Sequence, residues 1–146
     1  MFKLSTKGRY GARLMLDLAL NYGKGPVALK EVAKRQEISE KYLEHLIAPL
    51  KKAKLIRSSR GAHGGYVLLK PPSGISLNEI ITAVEGPMSI VECTQNSSFC
   101  KRSRDCLSRG AWNELSLKIT ETLSALTLEK IIAKNTPNGE ELCYVI

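Results

Sequence analysis

Three cysteines, Cys93, Cys100 and Cys106, fall in the polar stretch from Glu92 to Arg109, which shows no core-forming period. Structural cysteines belong in buried helices and strands, so three in one loop point to soft thiolate ligands or to reactive thiols. Lys101, Arg102, Arg104 and Arg109 surround them; such cations lower thiol pKa values and offset the charge of a thiolate–metal centre. The spacing Cys-x6-Cys-x5-Cys is not the tight Cys-x2-Cys pairing of structural zinc sites. Zinc, an iron–sulfur cluster and bare redox-active thiols all fit it. A fourth cysteine, Cys143, lies in the apolar tail Leu142–Ile146 and reads as a buried tail residue.

Catalysis finds little equipment elsewhere. The chain has two histidines, no nucleophile–base pair, no phosphate-binding glycine loop and no paired carboxylates at a usable spacing, so an enzyme is not expected. No stretch reaches the roughly 18 apolar residues of a bilayer span. The nearest, Leu14–Leu20, is short and carries Asp17, so it reads as neither a span nor a signal-peptide core. A cytoplasmic protein is expected, where thiols stay reduced.

The charge is lopsided. Through Pro72 there are 15 Lys and Arg against 5 Asp and Glu; from Ser73 onward there are 7 against 9. A basic front half suits a polyanion. An anionic membrane fits less well, because no basic amphipathic helix with an aromatic face is visible.

The elements that must position these charges can be read from caps and periods. Thr6 is placed to cap a first helix through Leu14, Leu16, Leu18, Ala19 and Leu20 to about Asn21, ended by Gly23 and Gly25-Pro26. A short second helix carries Leu29, Val32 and Ala33. Ser39 then caps a third, with Tyr42, Leu43, Leu46, Ile47 and Leu50 inward and Glu40, Lys41, Glu44, His45, Lys51 and Lys52 outward. Pro49 should kink this helix or loosen its last turn. Two short helices joined by a tight turn make a helix-turn-helix, whose second helix can enter a major groove. Directly after it, Leu55–Arg60 and Tyr66–Leu69 read as strands around the glycine-rich turn Gly61–Gly65, a basic hairpin bearing Arg57, Arg60, His63 and Lys70. That is the layout of a wing, and an arginine at its tip can enter a narrow minor groove.

Leu4–Tyr10, Ser39–Glu44 and Arg60–Tyr66, with the spacing between them, resemble the bacterial regulator family that includes IscR, NsrR and CymR. The resemblance implies a mainly α protein with a small β-hairpin wing, a winged helix-turn-helix over residues 1–72. Residues 73–146, of the same compact unit, would hold the cysteine loop (92–109) and a long C-terminal dimerisation helix. It implies a homodimer on a partly palindromic operator in double-stranded DNA. Lys41, Glu44 and His45 would approach base edges, with Tyr42 nearby, Arg60 and His63 would act from the wing, and Lys7 and Arg9 would contact phosphates. Cluster-binding members hold iron–sulfur with three cysteines in this loop, followed by a leucine and a tryptophan, as in Cys106-Leu107 and Trp112. This implies ligation by Cys93, Cys100 and Cys106, of a 2Fe–2S cluster ahead of a 4Fe–4S one. The family's fourth ligand, a histidine or a first-helix carboxylate, is replaced here by Arg109 and Arg9, and Cys143 is a conceivable substitute for it, behind its reading as a buried tail residue. Other members, resembling CymR, bind no cluster and answer to a protein partner; the opening motif, Glu85-Gly86-Pro87 and the apolar tail lean that way, and the three loop cysteines lean against it.

The C-terminal half supports the dimer independently. After a capping box at Ser76 and Glu79, a short helix through Ile80, Ile81 and Val84 ends at Gly86-Pro87. Trp112, Leu115, Ile119, Leu123 and Leu126 then form an apolar seam along one helix of about five turns. The rest of the chain is too small to cover it, so self-association is expected. Thr127 is placed to cap a last helix through Leu128, Ile131 and Ile132.

Overall fold

The computed structural model describes residues 3–136; Cys143 and the tail Leu142–Ile146 lie outside the described residues. The expected class is found. Helices α1 (Thr6–Leu20), α2 (Leu29–Gln36) and α3 (Glu40–Lys52) precede a hairpin of β1 (Ile56–Ser59) and β2 (Gly65–Leu68). A 3-10 turn at Pro72–Gly74 leads to α4 (Leu77–Glu85), α5 (Glu92–Gln95), α6 (Arg109–Ala125) and α7 (Leu128–Asn135).

Hydroxyl caps set most of the helix starts. Ser39 accepts from the Tyr42 N–H at 3.1 Å, and Thr127 from the Lys130 N–H at 3.2 Å. Ser76 and Glu79 form the full capping box. At α1 the cap is Ser5, one residue before the expected Thr6: its hydroxyl, not that of Thr6, accepts from the Gly8 N–H. Adjacent Ser and Thr offer the same chemistry, so only the backbone turn chooses between them.

One core unites the winged part with the C-terminal half. Leu14, Met15 and Leu18 of α1 meet Val32 of α2, Leu43, Leu46 and Leu50 of α3, Ile56 of β1, and Ile75, Ile80 and Leu128 from beyond the wing. Leu128 is fully buried, and two main-chain bonds seat it: Leu128 N–H to Ile75 O and Leu77 N–H to Leu126 O, both 2.9 Å. The end of α6 is thereby stitched to the start of α4.

Helix α3 does not break at Pro49 but runs on to Lys52. Proline removes only the bond that the His45 carbonyl would accept, and the last turn is closed by other means. The Lys54 N–H reaches Lys51 O at 2.9 Å and the Leu55 N–H reaches Leu50 O at 3.1 Å, a Schellman termination that buries Leu55. Lys54 stands at φ +59° to allow it, where a Cβ is strained. Lys54→Gly relieves that strain and frees more chain entropy in the unfolded state. The first effect is larger, so the variant should gain about 0.5–1 kcal/mol, read as a higher urea midpoint.

In the wing, Ile56 faces Leu68 and Ser59 faces Gly65 in antiparallel register. A third strand position, Val27, pairs with Tyr66 through reciprocal bonds of 2.9 and 3.0 Å. The hairpin is thus pinned to the segment before α2. Gly65 makes the pinning feasible, because a Cβ there would overlap the Val27 carbonyl group and lie 2.8 Å from the Ala28 nitrogen.

Candidate nucleic-acid interface and cysteine loop

Leu43, Leu46, Ile47 and Leu50 of α3 are buried, which turns Lys41, Glu44, His45, Ala48 and Lys52 outward along one face. Tyr42 is half-buried at the edge of that face, and its ring meets Tyr10 of α1 edge-to-face at 5.4 Å. The contact draws the start of α1, with exposed Lys7 and Arg9, beside the start of α3. The Arg9 guanidinium is steadied by the Thr6 hydroxyl at 3.4 Å. On the wing, Arg57, Arg60 and His63 are exposed, and Gly61 at φ +116° turns the tip. Two helix starts and a basic hairpin therefore present exposed cations to solvent, an arrangement suited to phosphate and groove contact.

Arg60→Ala should weaken binding to a preferred duplex by about 1–3 kcal/mol in a fluorescence titration. An unchanged affinity would remove the wing tip from the interface. Glu44 should behave differently, since a carboxylate near DNA is best tolerated where it accepts from a cytosine amino group. Glu44→Ala is expected to relax sequence preference more than it lowers affinity.

Asp17 is a residue whose role the sequence reading missed. It is 2 % exposed within the apolar face of α1. Arg35 donates to it twice, from Nη2 at 2.7 Å and Nε at 3.1 Å, and the Gln36 side-chain amide donates at 3.0 Å. Arg13, one turn earlier, donates from Nε to Gln36 Oε1 at 3.2 Å and also bonds the Gln36 carbonyl. Its guanidinium lies 5.4 Å from the Tyr10 ring centre. The available signal was the lone carboxylate in an apolar run, because a buried charge must have a partner.

The cysteine loop has its own organisation. Cys93 sits in the single turn α5, and turns at Asn96–Phe99, Cys100–Ser103 and Arg102–Asp105 come after it. Ser103 is buried, its hydroxyl donating to Ser97 O at 2.6 Å. Arg109 donates from Nε to Cys93 O at 3.2 Å and reaches Ser103 O at 3.5 Å. It fastens the ends of the loop. Cys106 stands just before α6, with its sulfur 3.3 Å from the Ser108 hydroxyl. That hydroxyl, then the Arg109 and Ser108 N–H groups, hold its thiol below the usual range; burial opposes them and the Arg102 charge adds a last, smaller push in the same direction as the hydrogen bonds. Cys93, Cys100 and Cys106 are free and half-buried. Among the described residues, no three or more His, Cys, Asp and Glu side chains come together as a group that could hold a metal ion.

Helix α6 buries none of its residues. Trp112, Leu115 and Leu117 are exposed, Ile119 and Leu123 half-buried. Leu126, the expected end of the seam, is the residue after the helix, where the chain turns toward the core. Among the described residues, no helix is long and apolar enough to cross a membrane.

A family model described as Rrf2, an iron-dependent transcriptional regulator, matches residues 4–134. The chain belongs to the Rrf2 family. It is 40% identical over 143 residues to the transcriptional regulator CymR of Bacillus subtilis, covering 98% of this chain and 97% of that one. It is equally 40% identical over 143 residues to the regulator IscR of Klebsiella pneumoniae, covering 98% and 84%. Solved structures agree. CymR, the global cysteine regulator of B. subtilis, superposes with a TM-score of 0.77 at 40% identity, covering 93% of this chain and all of that one. IscR of T. potens gives 0.78 at 37% identity, covering 97% and 93%. Rrf2 proteins are transcription regulators rather than enzymes; they bind DNA and are usually dimeric.

Proposed function

We propose that this Rrf2 protein binds a partly palindromic operator as a homodimer. In this reading α3 enters the major groove with Lys41, Glu44 and His45 toward base edges and Tyr42 beside them. Arg60 and His63 approach the minor groove from the wing, and Lys7 and Arg9 hold phosphates. Trp112, Leu115, Ile119, Leu123 and Leu126 meet their counterparts in the second copy. The observation that carries the reading is the outward face of α3, with the start of α1 held beside it by the Tyr10–Tyr42 contact. Selection from a random duplex pool should return a two-fold related site, and Lys41→Ala should bind that site more weakly. Recovery of unrelated sequences would refute specific recognition.

We further propose that Cys93, Cys100 and Cys106 hold an iron–sulfur cluster, 2Fe–2S before 4Fe–4S. Three free thiols in one loop beside four cations fit in donor type. They do not complete a set of four, since Arg109 and Arg9 cannot ligate iron. A bound cluster would supply a charge that changes with redox state or iron supply. Protein purified without oxygen should then be coloured and contain iron and sulfide, and changing all three cysteines to alanine should abolish both. Loss of colour in Cys143→Ala would identify the fourth ligand. A second reading, a cluster-free regulator controlled by a partner protein as its likeness to CymR suggests, is favoured by the bonds of Arg109, which tie the loop together through the Cys93 and Ser103 carbonyls. Colourless protein containing no iron selects it.

A further inference from the structure

The chain from Asp17 to Tyr42 crosses three helices. Asp17 and Arg13 stand one turn apart on α1 and grip Gln36, the last residue of α2, by its side chain and its main-chain carbonyl. The grip falls where the helix-turn-helix bends. Glu37, the next residue, takes φ +52°, the Ile38 N–H returns to Ala33 O at 3.1 Å, and Ser39 opens α3. Arg35 closes the carboxylate from the solvent side. From Arg13 the contact passes through the Tyr10 ring to Tyr42, in the first turn of α3.

Asp17 is buried but Arg35 stays 42 % exposed, so the pair adds little net stability: the carboxylate loses solvation and the exposed guanidinium is screened. It is a good device for direction: a two-pronged guanidinium–carboxylate pair has one low-energy geometry, whereas apolar packing tolerates several. Leu43, Leu46 and Leu50 anchor α3 to the core by its buried face. Their apolar contacts are non-directional and set no hydrogen-bond geometry. The clamp and the Tyr10–Tyr42 contact add direction.

We infer that Asp17, Arg13, Arg35 and Gln36 are positioning residues for sequence discrimination, orienting the start of α3 against the base edges rather than stabilising the fold. The inference rests on α3 being the reading helix. Phosphate contacts from long, flexible lysines tolerate a small rotation of α3, while hydrogen bonds to base edges do not. Loss of the clamp therefore lowers discrimination and spares non-specific binding.

The test uses the best duplex that the parent protein selects from a random pool and an unselected duplex of equal length. Asp17→Leu combined with Arg35→Met replaces the ion pair by apolar bulk. The double variant leaves the buried Gln36 amide without its acceptor, so the melting temperature should fall by a few degrees, while the salt dependence on the unselected duplex should be unchanged. The ratio of the two affinities should fall about tenfold, the worth of roughly one base contact. Arg13→Met, at a half-buried site that threatens the fold less, should lower the ratio in the same direction. Tyr10→Leu should do likewise, while Tyr10→Phe, which keeps the ring, should match the parent. An unchanged ratio in the folded double variant overturns the inference. If the double variant does not fold, an unchanged ratio in Arg13→Met overturns it alone. Lys41→Ala separates the two layers: if it leaves the parent's ratio intact, it is the reading of α3 that fails, not the clamp.

Discussion

A protein carrying Leu115→Glu together with Ile119→Glu is expected to run as a monomer in light scattering. It should also bind a two-fold operator at least about 10²-fold more weakly, because the second half-site contact is no longer linked to the first. Leu115 is 46 % exposed and Ile119 half-buried on a helix that buries nothing. The folded subunit leaves Leu115 open and Ile119 partly open to water, so the larger cost arises when a second copy would remove both carboxylates from water, at several kcal/mol for each unpaired charge. Circular dichroism should be unchanged. A variant that stays dimeric would mean that the copies associate through another face.

Gly65→Ala is expected to cost about 2–4 kcal/mol in urea unfolding, a large effect for a single methyl group. The added Cβ meets main-chain atoms of Val27 and Ala28, which cannot swing aside as a flexible side chain would. Either β2 lifts from Val27 and forfeits the pair of bonds at Tyr66, or the segment before α2 shifts and disturbs Leu29 beneath it. Binding to DNA should fall as well, since the wing moves with β2. Gly61→Ala is the contrast: its φ of +116° is strained, but nothing lies within 4 Å, so the wing stays docked. If Gly65→Ala melts within a degree or two of the parent, the Val27–Tyr66 pairing does not hold the wing.

The features legible in the sequence were local. Ser39, the Ser76–Glu79 box and Thr127 announce their helices because a cap is a bond across three residues. The outward face of α3 follows from the apolar period of Leu43, Leu46, Ile47 and Leu50 alone. The missed features are bonds between distant residues. Asp17 finds Arg35 and Gln36 only once α1 and α2 have packed, and no periodicity encodes that meeting. Arg109 is recognisable in sequence as a missing ligand, but its reach to the Cys93 and Ser103 carbonyls depends on how the loop folds back. The one-turn helix α5 is shorter than any helical period can reveal. Leu126 satisfied the spacing of the seam, yet the chain had already turned at Ala125 to deliver Leu128 to the core.

The stitching of α6 to α4 has a consequence for measurement. Leu126 and Leu128 are bonded through their main chains to Leu77 and Ile75, with no linker between the arm that would join two copies and the core that carries α3. A dimer built this way is a gauge of fixed span, set by the subunit and not by the DNA. Inserting one base pair between half-sites turns one of them by about 35° and moves it about 3.4 Å along the axis. A jointed dimer absorbs such a change by swivelling. A gauge registers it as a misfit, and so reads the length of the gap as strictly as the letters on either side.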